Sequence, residues 1–448
     1  MRAHLLKIYM HKRPYMMAAG MAGLLALTAQ TQAQSSDALL DKLVEKGILT
    51  VKEAGELREE TDQGFSQALQ TRMGMPEWVT AYKLGGDFRA RYEGFYSGNA
   101  TSADRNRFQY RLRYGVTANV LENMEVGFRL ASIGDTAGNQ ISSNNTFDNN
   151  ASKKGIAIDM AYGKWTPIDN GTWVTKFTVG KMENPLEINP TFVDQDYTPE
   201  GFGQQITYRV HQNHDLQFNA GQFVLDESGT SADAYMLGAQ LKWDARWSQK
   251  LQSSAGIMAL TIPGRTVLAE AGSGLLDIGE GNTRVPAGGP PLYNFDPIIA
   301  DASVTYTFDK APFYNGAFPV RLAGSYLNNP SAPQDNEGYS VKLTLGKASK
   351  RKTWEISYEL RELQADAIYE ELPESDFNAY TQAAGAFGNR TGYVNGTNVR
   401  GHIIKAGYSP YDSFAIFVTL WMTENIHESP AGSDSNAQRL QVDAIWKF

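Results

Sequence analysis

The sequence predicts an all-β protein, a transmembrane up-and-down antiparallel β-barrel of about sixteen strands, with eighteen as the alternative. The last ten residues, Arg439 to Phe448, alternate apolar and polar side chains, with Ile445 as the one exception, over the length that a barrel strand needs to cross a bilayer. After the N-terminal region there is no run of about 18 apolar residues, which excludes helical membrane spans. The aromatic share nevertheless reaches 11%, as expected where one face of each strand meets lipid.

The chain begins with a segment that has the properties of a secretory signal peptide. Four basic residues lie within the first thirteen, an apolar stretch of about twelve residues follows, and small residues lead to Ala33. An uncleaved membrane anchor is the alternative, but the stretch is shorter than the roughly 20 residues that a spanning helix needs. We therefore expect residues 1–33 to be removed near Ala33. Loss of the four basic residues takes the formal net charge from −8 to −12.

Residues 34–79 have a different pattern, which we interpret as a periplasmic helical hairpin and linker. Leu39, Leu43 and their apolar neighbours recur at helical spacing, Gly47 suits the end of a helix, and residues 50–53 form a capping-box pattern. The small apolar face of residues 36–70 needs a covering surface, which we expect to be another subunit, the periplasmic rim of the barrel or the cell wall. A spacer without a binding role is the alternative.

From residue 80 to residue 448 the pattern has period two, which predicts the barrel itself. The connections between sixteen predicted strands alternate in length, as is typical of outer-membrane barrels with short periplasmic turns and long outer loops. Short connections are expected near residues 121–122, 211–212, 245, 347–350 and 410, and long ones at 134–155, 183–199, 263–296 and 364–398. Seven of the eight tryptophans fall at the predicted periplasmic strand ends, and Trp421 falls near the outer end.

Several stretches of the chain resemble the putative porin family of Gram-negative bacteria. They are residues 84–92, 123–131, 157–165, 179–185 and 194–201, and residues 47–50 resemble the N-terminal segment of the same family. The resemblance covers most of the chain that follows the expected signal peptide. It implies a channel, and it supplies neither a substrate nor binding residues.

The polar face of the first three barrel strands carries a row of arginines. We name this row the basic wall: Arg89, Arg91, Arg107, Arg111, Arg113 and Arg129. The long connection 183–199 contains prolines, so it cannot simply extend its flanking strands. It carries the constriction-loop acids Glu183, Glu187, Asp194 and Asp196, with Glu200 at its end.

We expect loop 183–199 to fold inward and face the basic wall, because a barrel of about sixteen strands is otherwise a broad aqueous hole. Opposed rows of charge are one way in which pores select ions and orient polar solutes. The alternative places the loop on the rim and pairs the arginines with Asp87, Glu93 and Glu125 inside the lumen.

The pattern therefore favours a water-filled channel for passive diffusion of small hydrophilic solutes and ions. A structural or adhesive barrel, tethered to the cell wall through the N-terminal hairpin, is the alternative. No enzyme is expected, since the four histidines that follow the signal peptide allow no Ser-His-Asp arrangement. His211 and His214 lack a nearby third ligand, and the chain has no cysteine, so we expect no metal site and no cofactor.

The expected location is the outer membrane of a Gram-negative bacterium, with lipid around the barrel. Trp446 and Phe448 are the expected assembly signal, recognised by the barrel-assembly machinery. A homotrimer is expected by analogy with porins of this size, and a cell-wall contact is expected for residues 36–70. The negative net charge disfavours nucleic-acid binding.

Overall fold

The structure is a computed structural model. It describes residues 76, 78–133, 141–187, 189, 191–229, 232–268, 279–284, 289–382, 391–393, 396–428 and 431–448. The expected signal peptide 1–33 and almost all of the expected hairpin and linker 34–79 lie outside the described residues. Among the residues that are described, no helix is long and apolar enough to cross a membrane.

Sixteen long strands form one closed antiparallel sheet, in which sequence neighbours pair and the first strand pairs with the last. They are β1 (Val79–Ser97), β2 (Arg105–Val120), β3 (Met124–Ser132), β4 (Ile156–Asp169), β5 (Trp173–Lys181), β6 (Glu200–His211), β7 (His214–Asp226), β8 (Ala234–Arg246), β9 (Leu251–Thr261), β10 (Ile298–Phe308), β11 (Phe318–Asn328), β12 (Glu337–Gly346), β13 (Thr353–Leu363), β14 (Val399–Tyr411), β15 (Phe414–Asn425) and β16 (Ala437–Lys447). The predicted all-β barrel of sixteen strands is confirmed.

The loops carry only short elements of their own. These are a 3-10 helix at Arg265–Leu268 and two-residue strands at Asn145–Thr146, Tyr380–Thr381 and Gly392–Tyr393. The strand at Asn145–Thr146 pairs with β2 opposite Gln109 and Tyr110, beyond the point where β3 ends. The chain that leaves β3 therefore returns to the sheet and extends the inner wall there.

The barrel closes where β1 meets β16. Their register runs from Asp87 opposite Lys447 to Ser97 opposite Ala437. Beyond it, Gly86 and Phe448 exchange two backbone hydrogen bonds, with N···O distances of 2.9 and 3.2 Å. Closure removes the free sheet edges, which is what allows strands to lie in lipid without unpaired backbone groups.

Alternation along the strands separates a lumen from an outer surface. On β2, Phe108 and Leu112 are 57% and 40% exposed, whereas Arg111 between them is 6% exposed. On β16, Arg439 and Asp443 are likewise buried. In a closed sheet, buried polar side chains line the lumen and exposed apolar ones face outward. The structure thus has the alternation that the sequence predicts.

The connections at one end of the barrel are two to nine residues long and those at the other end are seven to thirty-six, so we name the ends the short-turn end and the long-loop end. The predicted turn at Ala245 is wrong. β8 continues to Arg246, which pairs with Gln252 of β9. The turn follows at residues 247–250, where Ser248 Oγ accepts the backbone N–H groups of Lys250 and Leu251 at 3.2 and 3.1 Å.

The predicted turn at Pro410 is also displaced. Pro410 lies inside β14, and the turn to β15 is at residues 412–413. A register shift between Tyr408 and Tyr411 accommodates the proline, which has no N–H to donate to a regular ladder.

Aromatic side chains flank the outer surface at the short-turn end. Trp173 contacts Tyr208 with ring centroids 4.4 Å apart, and the ring centroid of Trp446 lies 4.7 Å from that of Phe414. Such belts are typical of membrane interfaces. Trp421, near the long-loop end, differs because it points inward: it is 6% exposed and packs against Phe377 of a loop inside the barrel.

Gly86→Val should weaken barrel closure. A Cβ atom at Gly86 would lie 2.1 Å from the carbonyl oxygen of Arg113 and 3.0 Å from the Phe448 ring. The backbone cannot move away without losing the hydrogen bonds to Phe448, so we expect a loss of at least about 1–3 kcal/mol. The readout is the heat-modifiable folded fraction on cold SDS gels and the unfolding temperature.

Gly163→Val on β4 is the matched control, because a Cβ atom there meets nothing within 4 Å. Equal loss of folded protein in both variants would contradict this account of the closure.

Candidate functional site

Loop 183–199 runs through the inside of the barrel rather than along its rim. Its residues bond to inward-facing side chains far apart around the sheet: Glu187 with Gln240 of β8 (3.1 and 3.0 Å), Asn189 with Ser325 of β11 (2.7 Å) and Thr191 with Glu359 of β13 (3.3 Å). The loop leaves β5 and reaches β13, which lies on the opposite side of a sixteen-strand barrel. It therefore spans the lumen.

A second inward loop, residues 364–382, packs against the first. The N–H of Asp194 donates to the carbonyl of Leu372 at 2.7 Å. The second loop is in turn tied to residues 279–284 by a buried ion pair, in which Arg284 lies 2.6 Å from Glu370 and both side chains are at most 3% exposed. Three long connections thus meet inside the barrel.

Apolar packing holds these loops to one part of the lumen wall. The cluster includes Leu186, Phe192 and Val193 of the first loop and Ile368, Tyr369 and Leu372 of the second. They pack against inward side chains of the strands, among them Phe223, Met236, Met258, Leu260 and Leu327. Burying each large side chain contributes roughly 1.5–3 kcal/mol. This part of the lumen is a packed core.

The part of the lumen wall formed by β1, β2 and β16 is charged. Arg111 and Arg113 of the basic wall both contact Asp196, at 2.9 and 3.0 Å, and both contact Asp87, at 3.0 and 2.7 Å. Asp196 comes from loop 183–199, whereas Asp87 belongs to β1. The first loop therefore reaches the basic wall directly through one carboxylate.

The second inward loop reaches the same wall through Asp376. Its carboxylate contacts Arg91 at 3.1 Å and Arg439 at 2.7 Å. Arg91 also binds Asp443 of β16 through two hydrogen bonds of 2.7 and 2.9 Å. Such bidentate guanidinium–carboxylate pairs are among the strong hydrogen bonds of proteins.

Glu93 is the most deeply buried acid of this network, with no exposed surface. It accepts hydrogen bonds from Arg439 at 2.7 Å and Gln441 at 2.8 Å, and it pairs with Arg107. Arg107 and Arg439 also lie over the ring of Phe95, at 5.1 and 4.7 Å from its centroid. β1, β2 and β16 are thus joined through their inward side chains at the closure.

The two remaining arginines of the basic wall have partners outside β1, β2 and β16. Arg129 pairs with Asp159 of β4. Arg89 donates from Nη2 to Oδ1 of Asn144 at 2.6 Å. Asn144 belongs to the segment that returns to β2 beside β3.

The predicted constriction-loop acids separate into different environments. Among the described contacts of these five acids, the one with the basic wall is made by Asp196. Glu187 pairs with Lys242 of β8, and Glu200 lies 3.2 Å from Lys181. Glu183 is exposed. Asp194 Oδ1 accepts the N–H of Asp196 at 2.8 Å.

The lumen acids named in the alternative also pair. Asp87 and Glu93 bind arginines of the wall, whereas Glu125 pairs with Lys164 at 2.8 Å. Pairing of the arginines with Asp87 and Glu93 thus occurs together with their pairing with Asp196, because each arginine has several donor groups. The described partner of Glu125 is a lysine, not an arginine.

Burial inside the barrel shifts the protonation of the loop acids. It raises the pKa of Asp194 to about 8, and the neighbouring carboxylate of Glu374 adds to the rise. Burial also acts to raise the pKa of Asp196, but Arg111 and Arg113 outweigh it and the pKa is lowered. Two acids that are two residues apart thus differ in charge near neutral pH.

A cavity of about 710 Å³ lies between the inward loops and β3 to β7. Its lining includes Asp159, Asp196, Glu200 and Glu371, with Lys181 as the opposing charge. Asp196 belongs both to the lining of this cavity and to the contact with the basic wall.

His211 and His214 lie at the short-turn end. The ring of His214 stacks on Trp243 at 5.9 Å and meets Trp247 edge-on at 5.2 Å. Among the described residues, no group of three histidine, aspartate or glutamate side chains is arranged to hold a metal ion.

Sequence reasoning missed the second inward loop and its partners. Asp376, Glu374 and Arg439 are central to the charged network, yet none was singled out. The available signal was the acidic content of residues 364–398, in which Glu370, Glu371, Glu374 and Asp376 follow one another closely. Acids also occur in exposed loops, so that signal does not show which loop folds inward.

Comparison with known proteins agrees with the geometry. Residues 95–260 match the family model described as Putative porin, which confirms the resemblance over that segment. The high-pH structure of OprB from Pseudomonas putida is similar, with a TM-score of 0.53 and 12% identity over 86% of this chain and 97% of that chain. A triple mutant of the Rhodopseudomonas blastica porin has a TM-score of 0.41 and 10% identity over 82% of this chain and 100% of that chain. No curated protein sequence matches.

At 12% identity, the likeness to the OprB structure shows the fold alone. The chain forms a porin-like β-barrel, and this fold together with the family match points to a bacterial outer membrane. The family match favours a channel over an enzyme.

Glu93→Gln should destabilise the barrel strongly. The substitution leaves Arg107 and Arg439 with one fewer charged partner in a site closed to solvent. Breaking a buried ion pair on one side typically costs about 3–5 kcal/mol. The unfolding temperature followed by circular dichroism gives the readout.

Glu424→Gln is the control, because Glu424 pairs with Arg400 on the outer surface and both side chains are at least 40% exposed. An exposed pair contributes about 0–1 kcal/mol. A similar shift in both variants would contradict the assigned role of the Glu93 network.

Ion selectivity should change with pH between about 7 and 9. Asp194 is neutral below its pKa of about 8 and ionised above it, so alkaline solution adds a negative charge beside Glu374. Because this pKa lies above the ordinary value of 3.8, the contribution of Asp194 to the free energy of unfolding is fully present below pH 3.8 and is lost as the pH rises through 8. Wild-type channels should therefore become more cation-selective in alkaline solution. Asp194→Asn should flatten that change in reversal potential, and an unaltered pH profile in this variant would exclude the assignment.

Proposed function

We propose that this protein is an outer-membrane porin, a water-filled channel for passive diffusion of small hydrophilic solutes and ions, with loop 183–199 as its constriction. The observation that carries the proposal is the path of this loop. It crosses the lumen and ends on the basic wall, where Asp196 contacts Arg111 and Arg113. A solute that passes through the barrel must go around the loop, close to these charges.

The electrostatics of the passage support selection by charge. Arginines of β1 and β2 lie on one side, and carboxylates of two inward loops lie on the other. The field between opposite rows of charge is strong where water is scarce and the surroundings have a low dielectric constant. Such a field orients dipolar solutes and slows ions of the wrong sign.

We also propose the assembly and location expected from the sequence. Trp446 near the end of β16 and Phe448 directly after that strand are both exposed, as suits recognition by the barrel-assembly machinery. Removal of residues 1–33, a homotrimer in the outer membrane and contact of residues 36–70 with the cell wall complete this proposal.

A structural barrel is the second candidate, and one observation favours it. The loops form a packed apolar core inside the lumen, with Phe192 and Leu327 fully buried. If the remaining space does not connect both ends, the barrel conducts nothing and serves to display its loops or to anchor the envelope.

Conductance and reversal potential of the purified, folded protein in planar bilayers test the proposal. Asp196→Asn should shift the reversal potential across a KCl gradient toward anion selectivity, because Arg111 and Arg113 lose a counter-charge. Arg113→Gln should shift it toward cation selectivity. Both shifts should shrink at 1 M salt, where the Debye length is about 3 Å.

Glu424→Gln on the outer surface is the control and should leave the reversal potential unchanged. Absence of any KCl conductance in heat-modifiable wild-type protein would favour the structural barrel. Conductance with no response to Asp196→Asn would retain the channel and reject loop 183–199 as its constriction.

A further inference from the structure

Arg89 differs from the other arginines of the basic wall in its charge partners. Arg91, Arg107, Arg111, Arg113 and Arg129 each lie within ion-pair distance of at least one carboxylate. For Arg89, no carboxylate of the described residues lies within that distance. Its hydrogen bond is to the neutral amide of Asn144, at 2.6 Å, and its Nε is enclosed with no acceptor among the described residues.

The surrounding charges do not compensate Arg89. Its neighbours on the wall include Arg91 and Arg111, which repel it, and Asp443 and Asp196, which attract it. Asp443 is already bound by Arg91 through two hydrogen bonds, and Asp196 is shared by Arg111 and Arg113. The guanidinium of Arg89 therefore faces the lumen with its positive charge uncompensated by a direct partner.

The position of Asn144 is fixed by the fold. Residues 145–146 pair with β2, and the Ser132 hydroxyl of β3 donates to the carbonyl of Ser143 at 2.7 Å. Asn144 thus occupies the place in which an aspartate would complete an ion pair with Arg89. The side-chain amide of Asn144 orients one nitrogen of the Arg89 guanidinium and does not neutralise its positive charge.

A planar guanidinium binds carboxylate and phosphate groups through parallel N–H···O bonds. Buried donors in folded proteins almost always have an acceptor, and Nε of Arg111, which is 6% exposed, also has none among the described residues. We propose that Arg89, oriented by Asn144 and assisted by Arg111, forms a binding site for the oxyanion group of a small solute, a carboxylate or a phosphate. The site rests on the proposed channel function and names the class of solute for which the channel would be selective.

Binding at this site would hold an oxyanion in the passage longer than chloride. The chloride current through a single channel should then fall as succinate or inorganic phosphate is added at constant ionic strength. The concentration that gives half-block measures the affinity of the site, and comparison of the two probes distinguishes a carboxylate from a phosphate preference. Half-block by either probe supports the site.

Two variants test the assignment by opposite routes. Arg89→Gln removes the charge, and Asn144→Asp keeps Arg89 but supplies it with an internal carboxylate. Each should raise the half-block concentration about ten-fold or more, as expected for loss of a charge-assisted contact. If Arg89→Gln does not fold, Asn144→Asp still tests the site. Heat-modifiable mobility on SDS gels shows whether each variant is folded.

Arg321→Gln is the matched control. Arg321 is an inward-facing arginine of β11 that donates to Ser303 at 3.2 Å and is exposed to the lumen, away from β1 and β2. Its loss removes the same charge and should change the half-block concentration less than about two-fold, because a solvated charge is well screened.

The outcomes separate the two proposals. A wild-type channel that conducts KCl but is blocked by neither probe overturns the oxyanion site and leaves the channel function intact. Block that is the same in wild type, Arg89→Gln and Asn144→Asp overturns it as well. Failure of the folded wild type to conduct KCl rejects the channel function and, with it, the site.

Discussion

Pairing of buried charges inside the barrel is the constraint on which the rest of the structure depends. Alternation along β1, β2 and β16 places arginines on the inner face, where Arg91, Arg111 and Arg439 are at most 7% exposed. A charge removed from water costs several kcal/mol unless a partner and further hydrogen bonds compensate it. The strands supply Asp87, Glu93 and Asp443, and the inward loops supply the remaining acids.

The same constraint explains why two loops enter the lumen. Asp196 and Asp376 come from different connections, yet both bind arginines that already have a strand carboxylate. Apolar packing on the other side of the loops, from Phe192 to Phe223 and Leu327, adds a second set of contacts. The loops are thereby held between a charged wall and an apolar wall.

This division gives the barrel its proposed selectivity without a dedicated filter. Paired charges such as Arg113 and Asp196 create a local field but are partly neutralised. Arg89, which faces an amide, is the proposed place on the wall where a mobile anion completes an ion pair. Each of the other five arginines of the basic wall has a carboxylate within ion-pair distance.

The sequence by itself determined the local features of this protein. Period-two alternation identified the barrel, the inner arginines and the outward aromatic residues, because a side chain in a strand faces one side or the other according to its position alone. It also identified 183–199 as an acidic connection. Where the local signal was ambiguous, at Ala245 and Pro410, the turn positions were wrong, since cross-strand pairing and a bulge decide where a strand ends.

Only the tertiary structure decided which charges meet. Asp376 is 285 residues from Arg91 along the chain, and Glu93 is 346 residues from Arg439. No periodic pattern relates such positions, because their contact depends on closure of the sheet and on the path of two loops inside it. The apolar core of the lumen could not be predicted for the same reason. Met236 and Leu260 face inward like the polar residues beside them, and only the loops that cover them show that this side of the barrel is packed with apolar side chains.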